Sequence, residues 1–388
     1  MHKTIVFSTW YTGLGGGETA LLALAGQLDP ARWRPHLLVP REDQLSVRWR
    51  AQGWPLSIVP FRGASAWFVP ALYARFPAVR RFEAVLRASD AAAVYSDYHS
   101  LPFALPAARR TGALASWICW GWWFRPRPWQ RRFFRQPEVS FAASWAVRDG
   151  FLGSPPFMPP DRLPVLPPGV DTDRFRPGID GSALRAEFGI AADAPLVALI
   201  ARFQDVKGHD VFQDMARALL VHLPEARFIV AGENVHGVNA DAAYKARILA
   251  RWQADPLLKQ SMRYIGFRED SERVIAAADV VVCSSHFESL GMVHLETMSS
   301  GRPIVSTRRG GPSETVLDGV TGLLADPHDP QALAEQVLRL LRDPALRATM
   351  GAAGRARVLE HFSARACADG FMDALDEALR ARAAVAGR

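Results

Sequence analysis

The sequence predicts an α/β protein of two doubly wound, Rossmann-like domains. Three observations carry this. The chain has 388 residues, more than one hydrophobic core usually holds, so two domains are the natural division. Short β-branched apolar runs alternate with helical stretches, the order that gives a parallel sheet covered on both faces. Glycines stand where predicted strands turn into helices, at Gly13–Gly17, at Gly291 and at Gly310-Gly311. Such turns present free N–H groups and bind anions.

Composition narrows the class. Apolar residues make up 49% and charged residues 22%, ordinary for a globular protein. No apolar run approaches the roughly 20 residues that span a bilayer. The N-terminus runs straight into a strand without the regions of a secretory leader, so a cytoplasmic protein is expected. Cys119, Cys283 and Cys367 are scattered, which fits reduced, buried thiols better than a disulfide framework or zinc knuckle. The net charge of +7 is arginine in excess of carboxylate. A GC-rich genome and an anionic partner explain it equally well, so local clustering matters more than the total.

In the first half, strands are expected at 3–9, 36–39, 56–60, 92–96, 113–118, 139–143 and 163–166. After the first, Gly15-x-Gly17-x-x-Ala20 formally matches a dinucleotide-binding fingerprint, which would make the protein a nicotinamide-dependent oxidoreductase. The acidic pair Glu42-Asp43 falls later than a ribose ligand does, and a tight turn needing positive φ explains the glycines as well. A helix is expected over 19–28 and another over 70–87. The second carries Arg75, Arg80, Arg81 and Arg87 with Leu72, Phe76, Val79, Phe82 and Leu86. It reads as a surface helix packed on the sheet or as a membrane contact.

Residues 120–135 hold Trp120, Trp122, Trp123 and Trp129 with five arginines, Arg125 among them, and no carboxylate. They follow a strand, so they belong at the carboxyl edge of the sheet, where open α/β sheets bind ligands. Tryptophan stacks on sugar rings and suits membrane interfaces, and arginine grips phosphate in bidentate fashion. The stretch reads as an acceptor site for a sugar chain or a phosphorylated lipid, against an aromatic core corner with solvated arginines. Nucleic acid also tolerates such interleaving, but no recognition module accompanies it. Asp171-x-Asp173 follows Pro-Pro-Gly and reads as a turn, not a metal site. A loose stretch at 176–195 separates domains assigned to 1–178 and 190–371.

The second half opens with a strand at 196–200 and then Arg202-x4-Lys207-Gly208. Strands follow at 228–230, 263–265, 280–283 and 304–307, with a turn at Gly266-Phe267. Glu288 precedes a helix expected over 292–300, and Glu296 lies inside it. Gly301 and Pro303 end that helix. A phosphate on the amides of Leu290, Gly291 and Met292 would have a carboxylate on each side. Carboxylates repel phosphate but accept hydrogen bonds from sugar hydroxyls, so the arrangement suits a sugar–diphosphate–ribose. Two solvated glutamates are the plain alternative. The tail, 364–388, is helical by pattern.

Glu288-x7-Glu296 with Gly301-x-Pro303 and Gly310-Gly311-Pro312-x-Glu314 resembles the signature of glycosyltransferase family 4, retaining enzymes of the GT-B fold that use nucleotide sugars. The resemblance implies two Rossmann-like domains facing a cleft, with a C-terminal helix, about 372–388, returning to the first. It implies catalytic roles for Glu288, Arg202 and Lys207. Donor contacts would come from Gly16, Gly17, Leu290, Gly291, Met292, Glu296, Gly266 and Phe267. It further implies hexosyl transfer with retention, no metal and no cofactor, from a UDP or GDP sugar that the sequence does not decide. The acceptor would be a glycan or lipid-linked molecule of cell-envelope polysaccharide or glycoconjugate synthesis. The enzyme would then be peripheral at the inner, anionic face of the membrane.

Two departures stand out. The family histidine expected near the anomeric carbon is absent around Cys119 and Trp120, and His99 is the nearest substitute. Gly232-Glu233-Asn234 has Asn where the family repeats Gly. The oxidoreductase reading leaves Arg202, Lys207, Glu288 and Glu296 unexplained. A catalytically silent sugar-nucleotide-binding module is the other rival, with the missing histidine as its argument.

Overall fold

Twelve strands form two six-stranded, wholly parallel sheets in the computed structural model, which describes residues 2–65, 67–121, 125–234 and 239–386. The first contains β1 (Lys3–Ser8), β2 (Trp33–Val39), β3 (Leu56–Ile58), β4 (Ala91–Ser96), β5 (Leu114–Cys119) and β6 (Val139–Ala142). Its order is β3-β2-β1-β4-β5-β6. The second contains β7 (Leu196–Ile200), β8 (Arg227–Ala231), β9 (Met262–Gly266), β10 (Val280–Cys283), β11 (Ile304–Thr307) and β12 (Leu323–Ala325). Its order is β12-β11-β10-β7-β8-β9. Parallel strands covered on both faces need no alternation, which is why VVVC and LVALI are continuously apolar.

Both sheets reverse their winding once, between β1 and β4 and between β7 and β10. At such a reversal the flanking connections leave in opposite directions and open a crevice at the carboxyl ends of the strands. The fold thus supplies one ligand position per sheet.

The chain divides into two units. The first runs to Gly169 and resumes at Ala364; the second is Val170–Ser363. These boundaries differ from those read in the sequence. Residues 170–178 join the second unit because Val170 N donates to Phe362 O at 2.9 Å and Phe175 is buried in that unit's core. The stretch 176–195 is not wholly loose: it contains the helix Ser182–Glu187. The last helix, Ala364–Ala386, buries Phe371, Met372 and Leu375 in the first unit. Its Asp376 accepts from Lys3 Nζ and Arg32 Nη2, both at 2.7 Å, and from Trp33 Nε1 at 3.1 Å.

Two elements of the first unit also differ. The helix expected over 70–87 is two, Pro70–Tyr73 and Pro77–Ala88. Pro77 has no N–H to continue the first and pushes Phe76 into extended backbone. The strand expected at 163–166 makes only an isolated bridge, Val165 to Ala142.

Candidate active site

At the reversal of the second sheet, three connections are held close by glycine. After β7 the chain passes through Arg202 and a 3₁₀ turn, Asp205–Lys207, then Gly208, into the helix His209–His222. Gly208 has φ +61°, and a Cβ there would lie 2.2 Å from Ser284 O on the β10 connection. Gly310, after β11, has φ +91°, and its Cβ would lie 2.2 Å from Glu288 O. Neither position accommodates a side chain without moving backbone.

The result is a tight charged group. Lys207 Nζ donates to Glu288 Oε1 at 2.6 Å, and Ser285 Oγ donates to the same oxygen at 2.7 Å. Glu288 N donates to Arg309 O at 3.3 Å, and Gly311 N donates to Glu288 O at 2.9 Å. Burial alone would raise the Glu288 carboxyl. The Lys207 ammonium and the donors from Lys207 and Ser285 outweigh it, so the group stays below the usual glutamate value and ionised. Arg202 is exposed, and no partner for its guanidinium occurs among the described residues.

Glu296 behaves oppositely. It is 9% exposed, and its carboxylate has no hydrogen-bond partner among the described residues. Burial pushes its carboxyl up to about 7, with Arg174 pulling it down and Glu272 pushing it further up. Arg174 is itself held by Glu272 Oε2, through Nε at 2.9 Å and Nη2 at 2.8 Å. Between the two glutamates Gly291 starts the helix Met292–Ser299 at φ +90° and without a side-chain cap, so no side chain at the cap takes its first amides. His294 accounts for that turn: buried, neutral through burial, it contacts Gly291 O at 3.1 Å and Ser306 Oγ at 2.8 Å. Ser285, His294 and Gly208's close approach escaped the sequence reading. A serine beside a glutamate has no spacing signal, and His294 looks like any helical residue. Gly266, at φ +71°, and Phe267, exposed, end β9 nearby in sequence to no other site residue.

At the reversal of the first sheet the residues are aromatic. After β1 come Trp10 and Tyr11; after β4 come Asp97, Tyr98 and His99. His99 Nδ1 lies 2.7 Å from Ala64 O, and Nε2 lies 3.0 Å from the Tyr11 hydroxyl. A carbonyl only accepts, so Nδ1 carries a proton, and in the neutral ring Nε2 accepts from Tyr11. Trp10 packs beside the imidazole at 5.1 Å. Asp97 fixes the loop by accepting from Thr9 Oγ1 and Trp10 N, each at 2.8 Å. Trp120 is half-buried, its indole N–H committed to the Tyr95 hydroxyl at 2.8 Å. Arg125 is exposed. Trp122 and Trp123 lie outside the described residues. Gly16 and Gly17 begin the helix Gly16–Gly26, but Gly15 N already donates to Glu18 Oε2 at 3.0 Å, so a carboxylate stands where a dinucleotide phosphate would rest. Asp171 Oδ1 accepts from Asp173 N and Arg174 N, both at 3.0 Å, a turn. All three cysteines are free and buried.

Two Rossmann-like units with this strand order define a GT-B protein, and solved structures agree. HepE of Anabaena, solved in complex with UDP and glucose, matches with a TM-score of 0.79 at 20% identity, over 97% of this chain and 100% of that chain. A glycosyltransferase from Rickettsia africae matches with a TM-score of 0.82 at 16% identity, over 97% and 99%. At these identities the likeness is one of fold. The family follows from sequence: the model for Glycosyltransferase Family 4 matches residues 14–174 and that for glycosyl transferases group 1 matches residues 181–357, so the chain belongs to the family 4 glycosyltransferases. Among curated relatives, the D-inositol 3-phosphate glycosyltransferase of Segniliparus rotundus is 33% identical over 267 residues, 66% of this chain and 57% of that protein. The protein of the same name from Saccharomonospora viridis is 34% identical over 228 residues, 57% of this chain and 52% of that protein. The chain thus spans little more than half the length of these relatives.

Proposed function

We propose that the protein transfers a hexose-type sugar from a nucleoside-diphosphate sugar to a glycan or lipid-linked acceptor, with retention at the anomeric carbon. The observation that carries this is the Lys207–Glu288 pair, locked at the reversal of the second sheet by two glycine approaches. The diphosphate rests on the amides at the start of the helix Met292–Ser299, with Arg202 and Lys207 alongside. Glu288 accepts hydroxyls of the donor sugar, and Glu296 those of the ribose. The turn at Gly266-Phe267 receives the base, and Gly16 and Gly17 are the donor contacts that the family resemblance implies in the first unit.

As the bond from the anomeric carbon to the phosphate oxygen breaks, negative charge grows on the diphosphate. Cations and fixed amides stabilise that charge more than the ground state, which is what lowers the barrier. The acceptor oxygen bonds to the anomeric carbon on the same face, and its proton passes to the departing phosphate oxygen. The two cationic side chains supply the charge neutralisation without a metal. On the acceptor side stand His99, Trp120 and Arg125, with Trp10 and Tyr11 beside His99. A lipid-linked acceptor of the cell envelope brings the enzyme to the inner face of the membrane. No described helix is long and apolar enough to cross one.

A panel of nucleotide sugars read by thermal shift tests the donor. A ligand at a hundred times its Kd stabilises by about 2.7 kcal/mol, so one UDP or GDP sugar raises Tm by several degrees and NAD does not. Glu288→Ala abolishes transfer. Proton NMR of the product shows the donor's anomeric configuration. An unmoved Tm across the panel defeats the transferase reading, and an inverted product defeats the mechanism.

A further inference from the structure

The first unit carries a surface patch of which the chemistry above uses only Arg125 at its margin. After β3 the chain presents Trp67, Val69, Leu72 and Phe76 to solvent, Trp67 64% and Leu72 56% exposed. The patch has a firm base. Phe68 is buried against Tyr73, Phe133 and Phe134, and Gln130 Nε2 donates to Phe68 O at 3.1 Å. Tyr73 in turn meets Phe76 at 4.9 Å between ring centres. The Arg127 guanidinium lies 3.2 Å from the Trp67 ring centre and 5.5 Å from that of Trp129, which is also exposed. The loop after β3 and the helix Pro128–Phe134 therefore form one surface.

Its charge has one sign. Residues 59–82 and 120–135 contain nine arginines and no aspartate or glutamate. Among the described residues none of the nine forms an ion pair, and all but Arg127 are exposed. The ion pairs of the neighbouring surface begin only at Glu83, which takes Arg87 and Arg110. Apolar tips beside unpaired arginine match a layer with phosphate outside and hydrocarbon beneath.

We infer that this patch docks the protein on an anionic phospholipid surface, Trp67, Leu72 and Phe76 entering the headgroup boundary while the surrounding arginines meet lipid phosphates. This deepens the membrane part of the function proposed above and stands apart from the donor assignment. A second copy of the chain fits worse, because a two-fold contact sets the same patch against itself and brings arginine to arginine. Nucleic acid would satisfy arginine and tryptophan but leaves Val69, Leu72 and Phe76 in water.

Co-sedimentation with vesicles tests it. The protein pellets with phosphatidylcholine vesicles containing phosphatidylglycerol and stays in solution with phosphatidylcholine alone. Leu72→Ser with Phe76→Ser weakens binding about tenfold or more, from the apolar area lost. Arg75→Glu with Arg80→Glu weakens it about twenty-five-fold or more, at about fivefold per cation near an anionic surface. These positions are exposed, so far-UV circular dichroism and the donor-induced rise in Tm stay as in the parent. Arg339→Glu, an exposed charge of the second unit, binds as the parent does. Parent protein that stays in solution with both vesicles overturns the inference together with the membrane part of the function. Parent binding that neither pair weakens overturns the patch alone. Displacement from vesicles by an oligonucleotide that binds more tightly makes it a nucleic-acid surface. In each case the donor panel still decides the transferase reading separately.

Discussion

The two sheets wind identically and reverse at equivalent strands, yet they dress the crevice in opposite chemistry. At the reversal of the second sheet the side chains are charged, buried and locked: Lys207 to Glu288 at 2.6 Å, under backbone approaches that admit no Cβ. At the reversal of the first they are aromatic and half-open: Tyr11 meets Trp10 and His99 edge to face, and Trp10 tilts over the His99 ring. Strand order sets where a ligand sits, and the connecting loops set what it is. A pyrophosphate needs fixed positive charge and free amides, whose value rises as water is excluded. A sugar ring needs flat apolar faces with a hydroxyl or imidazole at the rim.

The sharpest way to break that contrast is to remove the charge. Lys207→Ala lowers kcat by about 10²–10³, the usual loss for a group that stabilises transition-state charge. It also leaves the Glu288 carboxylate buried without its cation, held only by the Ser285 hydroxyl and the weak Cys283 thiol donor, which costs on the order of 3 kcal/mol of stability. Steady-state kinetics and urea unfolding check the two effects. An unchanged kcat would move the chemistry away from this crevice. Gly208→Ala is the steric counterpart. The new methyl meets Ser284 O, so the connections must part, and donor affinity falls tenfold or more while the first unit is untouched. Isothermal calorimetry with the donor found in the panel checks it.

Much of the second crevice was legible in sequence because its chemistry needs residues at fixed spacing. Glu288 and Glu296 must bracket a helix start, and Gly208, Gly291 and Gly310 must be glycine, so these positions leave a pattern. What was not legible is pairing across the chain. That Lys207 binds Glu288 directly, or that Arg174 of the Pro-Pro-Gly turn stands beside Glu296, depends on which loops the sheet brings together. The first crevice was barely legible. An aromatic residue serves equally in a core, and Trp120, read as acceptor site or core corner, is half-buried with its indole N–H on Tyr95. Pro77 shows the limit of periodicity: the amphipathic pattern runs on through 70–87 although the backbone breaks there.

Glu296 offers a finer probe, through pH. Its carboxyl titrates near 7 when folded, against an ordinary 4.5. Between these values the folded protein holds the extra proton, so stability falls as pH rises from about 4.5 to 7. Glu296→Gln removes that fall. Relative to the parent, the variant gains on the order of 3 kcal/mol between pH 4.5 and 8, a shift of one unit being worth about 1.4 kcal/mol. Urea midpoints at several pH values test this. The same substitution raises the donor KM about tenfold at pH 8, where the parent's ionised carboxylate accepts from the ribose, and less at pH 6.

The smallest effect belongs to the aromatic crevice. His99 Nδ1 donates to Ala64 O, so in the neutral ring Nε2 presents a lone pair and the Tyr11 hydroxyl donates to it. That leaves the phenol oxygen as an oriented acceptor at the carboxyl end of β1. Tyr11→Phe removes the oxygen and keeps the ring, so packing is preserved and stability changes by less than about 1 kcal/mol. If this crevice receives the acceptor, its KM rises about three- to tenfold, one hydrogen bond's worth, while donor binding and the donor-induced Tm rise stay fixed. His99→Gln keeps a group that can accept from Tyr11 and loses less. The split between the two kinetic parameters is the informative part. A change in donor affinity instead would mean that both crevices serve one ligand, and the division of labour between charged and aromatic sites would fail.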